Sequence, residues 1–81
     1  MKISVRLFAR AKDLAGTDAL ALELPPRATV ADLRKQLAFQ YPALAGLLER
    51  SALAVNDEFA GDGLALPDGA EIALLPPVSG G

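Results

Sequence analysis

The chain has 81 residues, 52% of them apolar, a formal net charge of −2 and neither cysteine nor histidine. That length predicts one small domain with a modest core, and the missing side chains exclude disulfides, Cys/His zinc sites, a thiol nucleophile and an imidazole proton shuttle. Eight Lys and Arg residues lie scattered among ten Asp and Glu, so there is no basic face of the kind that grips nucleic acid; the mild acidity suits a basic protein partner.

MKISVRLFAR alternates Ile3, Val5 and Leu7 on one face with Lys2, Ser4, Arg6 and Phe8 on the other, the period of a half-buried strand. It lacks the apolar h-region of a secretory signal. No apolar run reaches membrane-span length, so no membrane partner and a cytoplasmic location are expected. Arg10 to Leu14 predicts one helical turn closed by Gly16. Leu20, Leu22 and Leu24 mark a second strand, paired with the first as an antiparallel hairpin and stopped by Pro25 and Pro26.

Thr29 with Asp32 three residues on reads as a capping box. Val30, Leu33, Leu37 and Tyr41 recur at helical spacing and form one core-facing stripe. Pro42 ends that helix, and Leu44, Leu47 and Leu48 predict a further short turn. Leu53 and Val55 mark a third strand closed by Asn56-Asp57. Gly61-Asp62-Gly63 is a turn, Leu64 and Leu66 suggest a short fourth strand, and Pro67-Asp68-Gly69 is another turn. Glu71 to Leu75 is the last strand, with Ile72 and Leu74 inward; Pro76 and Pro77 end its pairing. The expected fold is α+β, a ubiquitin-like β-grasp: a mixed sheet of four to five strands with one main helix on one face. The first and last strands are expected as parallel central neighbours. The domain is assigned to 1–75 and an extended tail to 76–81.

No constellation here performs catalysis. Asp57 with Glu58, or Asp62 with Asp68, read as solvated turn residues, and Gly61-Asp62-Gly63 lacks the spacing of a phosphate-cradling loop. No metal and no cofactor are expected on this chain.

The tail, PPVSGG, carries the signal. Pro76 and Pro77 favour an extended polyproline stem, and six residues reach about 20 Å when extended. Gly80 and Gly81 leave the terminal carboxyl free of side chains and pass through a narrow channel. A carboxylate is a poor electrophile and needs activation, most simply as an acyl-adenylate formed with ATP. A sulfur donor then displaces AMP to leave a thiocarboxylate, or a lysine amine is acylated.

RLFARAKDLAG (Arg6 to Gly16), the ending LPDGAEIALLPPVSGG (Leu66 to Gly81) and the length resemble the small, sulfur-carrier subunit of molybdopterin synthase. The resemblance implies that Gly81 is adenylated by an ATP- and magnesium-dependent activating enzyme and becomes a thiocarboxylate, with sulfur supplied by a donor protein. It further implies that the tail, Pro76, Pro77, Val78, Ser79 and Gly80 included, enters the large subunit of a heterotetramer and gives sulfur to cyclic pyranopterin monophosphate. The catalytic groups are then the large subunit's. A thiamine-thiazole type carrier, a ubiquitin-like modifier and an interaction module with an inert tail are the alternatives.

Phase adds a docking surface. Phe8 and Leu75 point away from the helix on strands expected to be neighbours, near the base of the tail, and Phe59 joins them from the turn region. An exposed apolar patch of this sort marks a protein interface.

Overall fold

Alternation at the start of the chain produces strand β1, Lys2–Leu7, with Ile3, Val5 and Leu7 buried and the intervening residues exposed. The computed structural model describes residues 1–77. Strand β1 stops one residue before Phe8. Phe8 is still extended (φ −126°, ψ 154°), but Ala9 takes a positive φ of 51° and turns the chain into helix α1, Ala9–Ala15. Gly16, at φ 74°, closes α1 with its amide bonded to the Lys12 carbonyl, a left-handed cap that glycine adopts without steric penalty. Strand β2, Ala19–Glu23, then returns antiparallel to β1, with Leu22 opposite Ile3 and Leu20 opposite Val5.

Helix α2, Val30–Gln40, begins at the expected capping box. The Asp32 amide donates to Thr29 Oγ1 at 3.3 Å, and the Thr29 amide donates to Asp32 Oδ2 at 2.9 Å. Val30, Leu33 and Leu37 are buried, while Tyr41 is a half-buried cap at the far end. Pro42 opens a 3-10 turn, Pro42–Leu44, and helix α3 follows at Ala45–Leu48, burying Leu44, Leu47 and Leu48. Arg34 braces this layer: its Nε donates to Asp62 at 2.9 Å, and its guanidinium also donates to the Leu48 carbonyl at the end of α3.

Strand β3, Ala52–Val55, is followed directly by strand β4, Glu58–Phe59. This corrects the expectation of a fourth strand at Leu64 and Leu66. Asn56 and Asp57 both take positive φ, 49° and 71°, forming the two-residue hairpin turn that matches strand twist. The chain therefore re-enters the sheet at once, pairing Phe59 with Ala54 and Glu58 with Val55. The Leu64 region spends its backbone bonds elsewhere. The Leu64 and Asp62 carbonyls accept from the Val30 and Ala31 amides, and the Leu66 amide donates to Ala28. The first two of these bonds satisfy first-turn donors of α2 that have no partner within the helix.

Strand β5, Glu71–Leu75, sits between β1 and β3 in the order β2-β1-β5-β3-β4. It runs parallel to β1 (Val5 beside Ile72, Leu7 beside Leu74) and antiparallel to β3 (Leu53 beside Leu74). The core lies between this sheet and α2, with Ile3, Leu33, Leu37, Leu53, Ile72 and Leu74 among its buried side chains. No helix among the described residues is long and apolar enough to cross a membrane.

The capping box yields two expected outcomes in urea titrations. Thr29→Ala removes an N-cap hydroxyl and lowers the unfolding free energy by about 1 kcal/mol. The Thr29 amide, and secondarily its hydroxyl, hold the Asp32 carboxyl below the usual carboxylate range. A lowered folded-state pKa contributes stability above the unfolded value and loses it as pH falls through the folded one. The stability deficit of Asp32→Asn is therefore present at neutral pH and shrinks as pH drops below about 4.

Candidate functional site

The last strand sets the root of the tail. Leu74 is fully buried and Leu75 half-buried, so the chain leaves the core at Leu75. Pro76 is partly covered and Pro77 exposed. Neither proline has an amide hydrogen to extend the ladder, so the sheet ends where the stem begins. Val78, Ser79, Gly80 and Gly81, the expected tip, lie outside the described residues.

The face of the sheet away from α2 carries the apolar residues expected to dock. Leu75 pairs with Ala52 on one side. On the other side Phe8 follows Leu7, which pairs with Leu74, so the register brings Phe8 up beside Leu75. Phe8 is 42% exposed. Phe59 lies on the same face but at the far edge. Arg6, Ala73, Ala54 and Phe59 form one cross-strand row over β1, β5, β3 and β4. Ala54 is only 7% exposed yet stands outside the core cluster, as befits a small side chain on the outer face between larger neighbours. Phe59 is 78% exposed. Phe8 and Leu75 therefore form one end of a patch, and Ala52, Ala54 and Ala73 connect it to Phe59 as a low floor.

The remaining acids form no catalytic arrangement. Asp57, Glu58, Asp62 and Asp68 are exposed in or next to turns, and Asp62 is engaged by Arg34. Among the described residues no group of three His, Cys, Asp or Glu is placed to hold a metal ion. An open depression of about 480 Å³, lined by Met1, Pro26, Arg27, Leu66 and Asp68, sits at the start of β1. Since β1 and β5 are parallel, it lies at the opposite end of the sheet from Leu75.

One exposed aromatic escaped the sequence reading. Phe39 is 81% exposed on α2. It falls two residues after Leu37, about 200° around the helix, so the periodicity that identified the core stripe also places Phe39 outward.

Comparison with known proteins agrees with this architecture. A model of the ThiS family matches residues 5–81. The "Molybdopterin synthase sulfur carrier subunit" of Escherichia coli is 41% identical over 83 aligned positions, covering 98% of this chain and 99% of that protein. SAMP1, small archaeal modifier protein 1 of Haloferax volcanii, superposes with a TM-score of 0.89 at 31% identity over the full length of both chains. The complex of subunits 1 and 2 of the molybdopterin-converting factor from Helicobacter pylori contains a chain that superposes with a TM-score of 0.73 at 30% identity, again over the full length of both chains. On a match spanning nearly every residue, and on a ubiquitin-like β-grasp sheet with its last strand at the centre, this chain belongs to the ThiS family.

Proposed function

We propose that this chain is the sulfur carrier subunit of a molybdopterin synthase and that its working group is the carboxyl of Gly81. The observation that carries the reading is a Gly-Gly ending four residues beyond the central strand of the sheet in the sequence, in a chain that matches such carriers over nearly its whole length. The domain supplies an anchor and a docking face. The tail supplies the reacting atom.

The chemistry proceeds by two displacements at the terminal group. A Gly81 carboxylate oxygen attacks the α-phosphorus of ATP, and pyrophosphate leaves. A sulfur nucleophile then attacks the carbonyl carbon of the acyl-adenylate, and AMP leaves with the oxygen. With sulfide as the nucleophile the product is the thiocarboxylate itself; with a donor persulfide the acyl disulfide formed is cleaved by a second thiol, which leaves as a mixed disulfide with the donor. In the large subunit the thiocarboxylate sulfur attacks cyclic pyranopterin monophosphate, and water hydrolyses the resulting thioester, which leaves the sulfur on the pterin and frees the Gly81 carboxylate for another cycle. ATP and magnesium belong to the activating enzyme, because the acids described above are spread over separate turns and Gly61-Asp62-Gly63 has no phosphate-cradling spacing. This chain's side chains hold and present; they do not move protons at the reacting carbon.

Phe8, Leu75 and Phe59 form the contact with the large subunit, and two carriers flank a dimer of large subunits. The low alanine floor between Leu75 and Phe59 lets a partner ridge settle against the sheet, with the aromatic side chains gripping its sides. The likeness to the archaeal modifier supports a second reading, in which Gly81 ends in an isopeptide bond to a lysine.

Incubating the chain with its activating enzyme, ATP and a sulfide source is expected to raise the intact mass by the difference between sulfur and oxygen. A mass that never changes with competent enzyme present rules out the carrier reading. Ladders of heavier conjugates in cell extracts select the modifier instead, and co-purification of a thiazole synthase selects a thiamine-type carrier. Deleting Gly80 and Gly81 is expected to abolish sulfur transfer while the urea midpoint stays unchanged. In calorimetric titration with the large subunit, Phe59→Ala is expected to cost about 1–2 kcal/mol of association energy, with folding stability altered by less than about 0.5 kcal/mol.

A further inference from the structure

The charges on this domain are sorted by the ends of the sheet. At the end away from the tail, where β1 and β5 begin and β2 and β3 finish, lie Glu23, Asp57, Glu58, Asp62, Asp68 and Glu71, against Lys2, Arg27 and Arg34, the last paired with Asp62. The tail end carries fewer acids, Asp13, Asp18 and Glu49, beside Arg10, Lys12 and Arg50, so most of the chain's acidity lies at the opposite end of the sheet. At the tail end two exposed arginines stand on either side of the root. Arg10 is two residues beyond Phe8, in the first turn of α1, and α1 packs against β5. Arg50 is two residues before Ala52, the partner of Leu75. Two residues span at most about 7 Å and adjacent strands lie about 5 Å apart, so each arginine's α-carbon is within about 12 Å of Leu75. Among the described residues neither guanidinium is in an ion pair; the two pairs there are Met1 with Glu23 and Arg34 with Asp62.

We propose that Arg10 and Arg50 form a cationic collar around the tail root that pairs with carboxylates at the mouth of the channel by which the large synthase subunit receives the tail. The proposal rests on the carrier reading above. The collar is continuous with Phe8 and Leu75, so the partner that covers that patch also meets the arginines. Guanidinium is suited to this place: it is permanently charged and engages carboxylates in a bidentate fork. It also introduces no amine nucleophile beside an activated acyl group. With the acidic end directed away, the domain's field turns the tail toward an acidic mouth before contact, which raises the rate of productive encounter.

The test measures association of the full chain with the large subunit from the same organism, by biolayer interferometry across a salt series. Arg10→Glu/Arg50→Glu is compared with Lys2→Glu/Arg27→Glu, which makes the same change in net charge at the opposite end. The collar pair is expected to weaken binding about tenfold or more at low salt, chiefly through the on-rate, and the difference is expected to narrow as ionic strength rises to about 0.5 M. The control pair is expected to change affinity by less than about twofold. Unchanged melting curves certify that both variants are folded, and Arg10→Gln/Arg50→Gln, with an intermediate loss expected, stands in if the reversed pair is not. Equal losses from both pairs, or no loss from the collar pair, overturn the collar while leaving the carrier reading intact. A wild-type chain that fails to bind the large subunit overturns the carrier reading and the collar with it.

Discussion

Parallel pairing of β1 with β5 is the contact on which the rest of the molecule depends. It joins the two ends of the sequence at the centre of the sheet, beside the fully buried Val5, Ile72 and Leu74. Everything between them is the crossover that parallel strands require, and that crossover supplies β2, α2, β3 and β4 to cover both edges and one face. Because β5 is bonded on both sides, its last residue is held in position to the limit of the ladder. Two prolines follow at once, so sheet pairing ends within a single step.

The same sheet separates two tasks by face. Toward α2 the strands carry branched and leucine side chains that close the core. Away from α2 the tail-side halves of β5 and β3 carry small or half-buried groups, Ala73, Ala54 and Leu75, with polar Ser4, Arg6 and Glu71 and the aromatics Phe8 and Phe59 around them. Stability is thus secured on one side without filling the other. A domain this size has little core to spare, and the division leaves the outer face free to be shaped for contact. The connections are equally economical: the loop between β4 and β5 caps α2 while it carries the chain back to the centre.

Most of this plan was legible from periodicity and punctuation. The two alternating terminal segments, the Thr29–Asp32 cap, the Val30, Leu33 and Leu37 stripe and the Gly16 cap all depend on local rules, and all stand in the structure. The misread strand shows where local rules stop. Leu64 and Leu66 alternate as a strand does, but the Leu64 carbonyl answers the Val30 amide of a helix distant in sequence, the Leu66 amide donates to Ala28 just before it, and among the described residues Ala65 makes only an isolated bridge, to Thr29. Conversely, β4 is too short for any period to register, and its place is dictated by the tight Asn56-Asp57 turn. Phe8 was read by phase as part of the first strand, whereas the positive φ at Ala9, which no composition rule signals in an alanine, ends the strand just before it. The outward position of Phe59 follows from its pairing with Ala54, a long-range consequence of that turn. The clustering of arginines at one end is likewise invisible in a linear chain, because Arg10 and Arg50 meet only through the strands they precede and follow.

The central placement of β5 also has a mechanical consequence. A partner that draws on the stem pulls along the strand axis, against the ladders to β1 and β3 together. Load applied in this direction shears many hydrogen bonds at once instead of peeling them one by one from an edge. The domain can therefore bear tension applied through Pro76 and Pro77 without unravelling from the point of attachment.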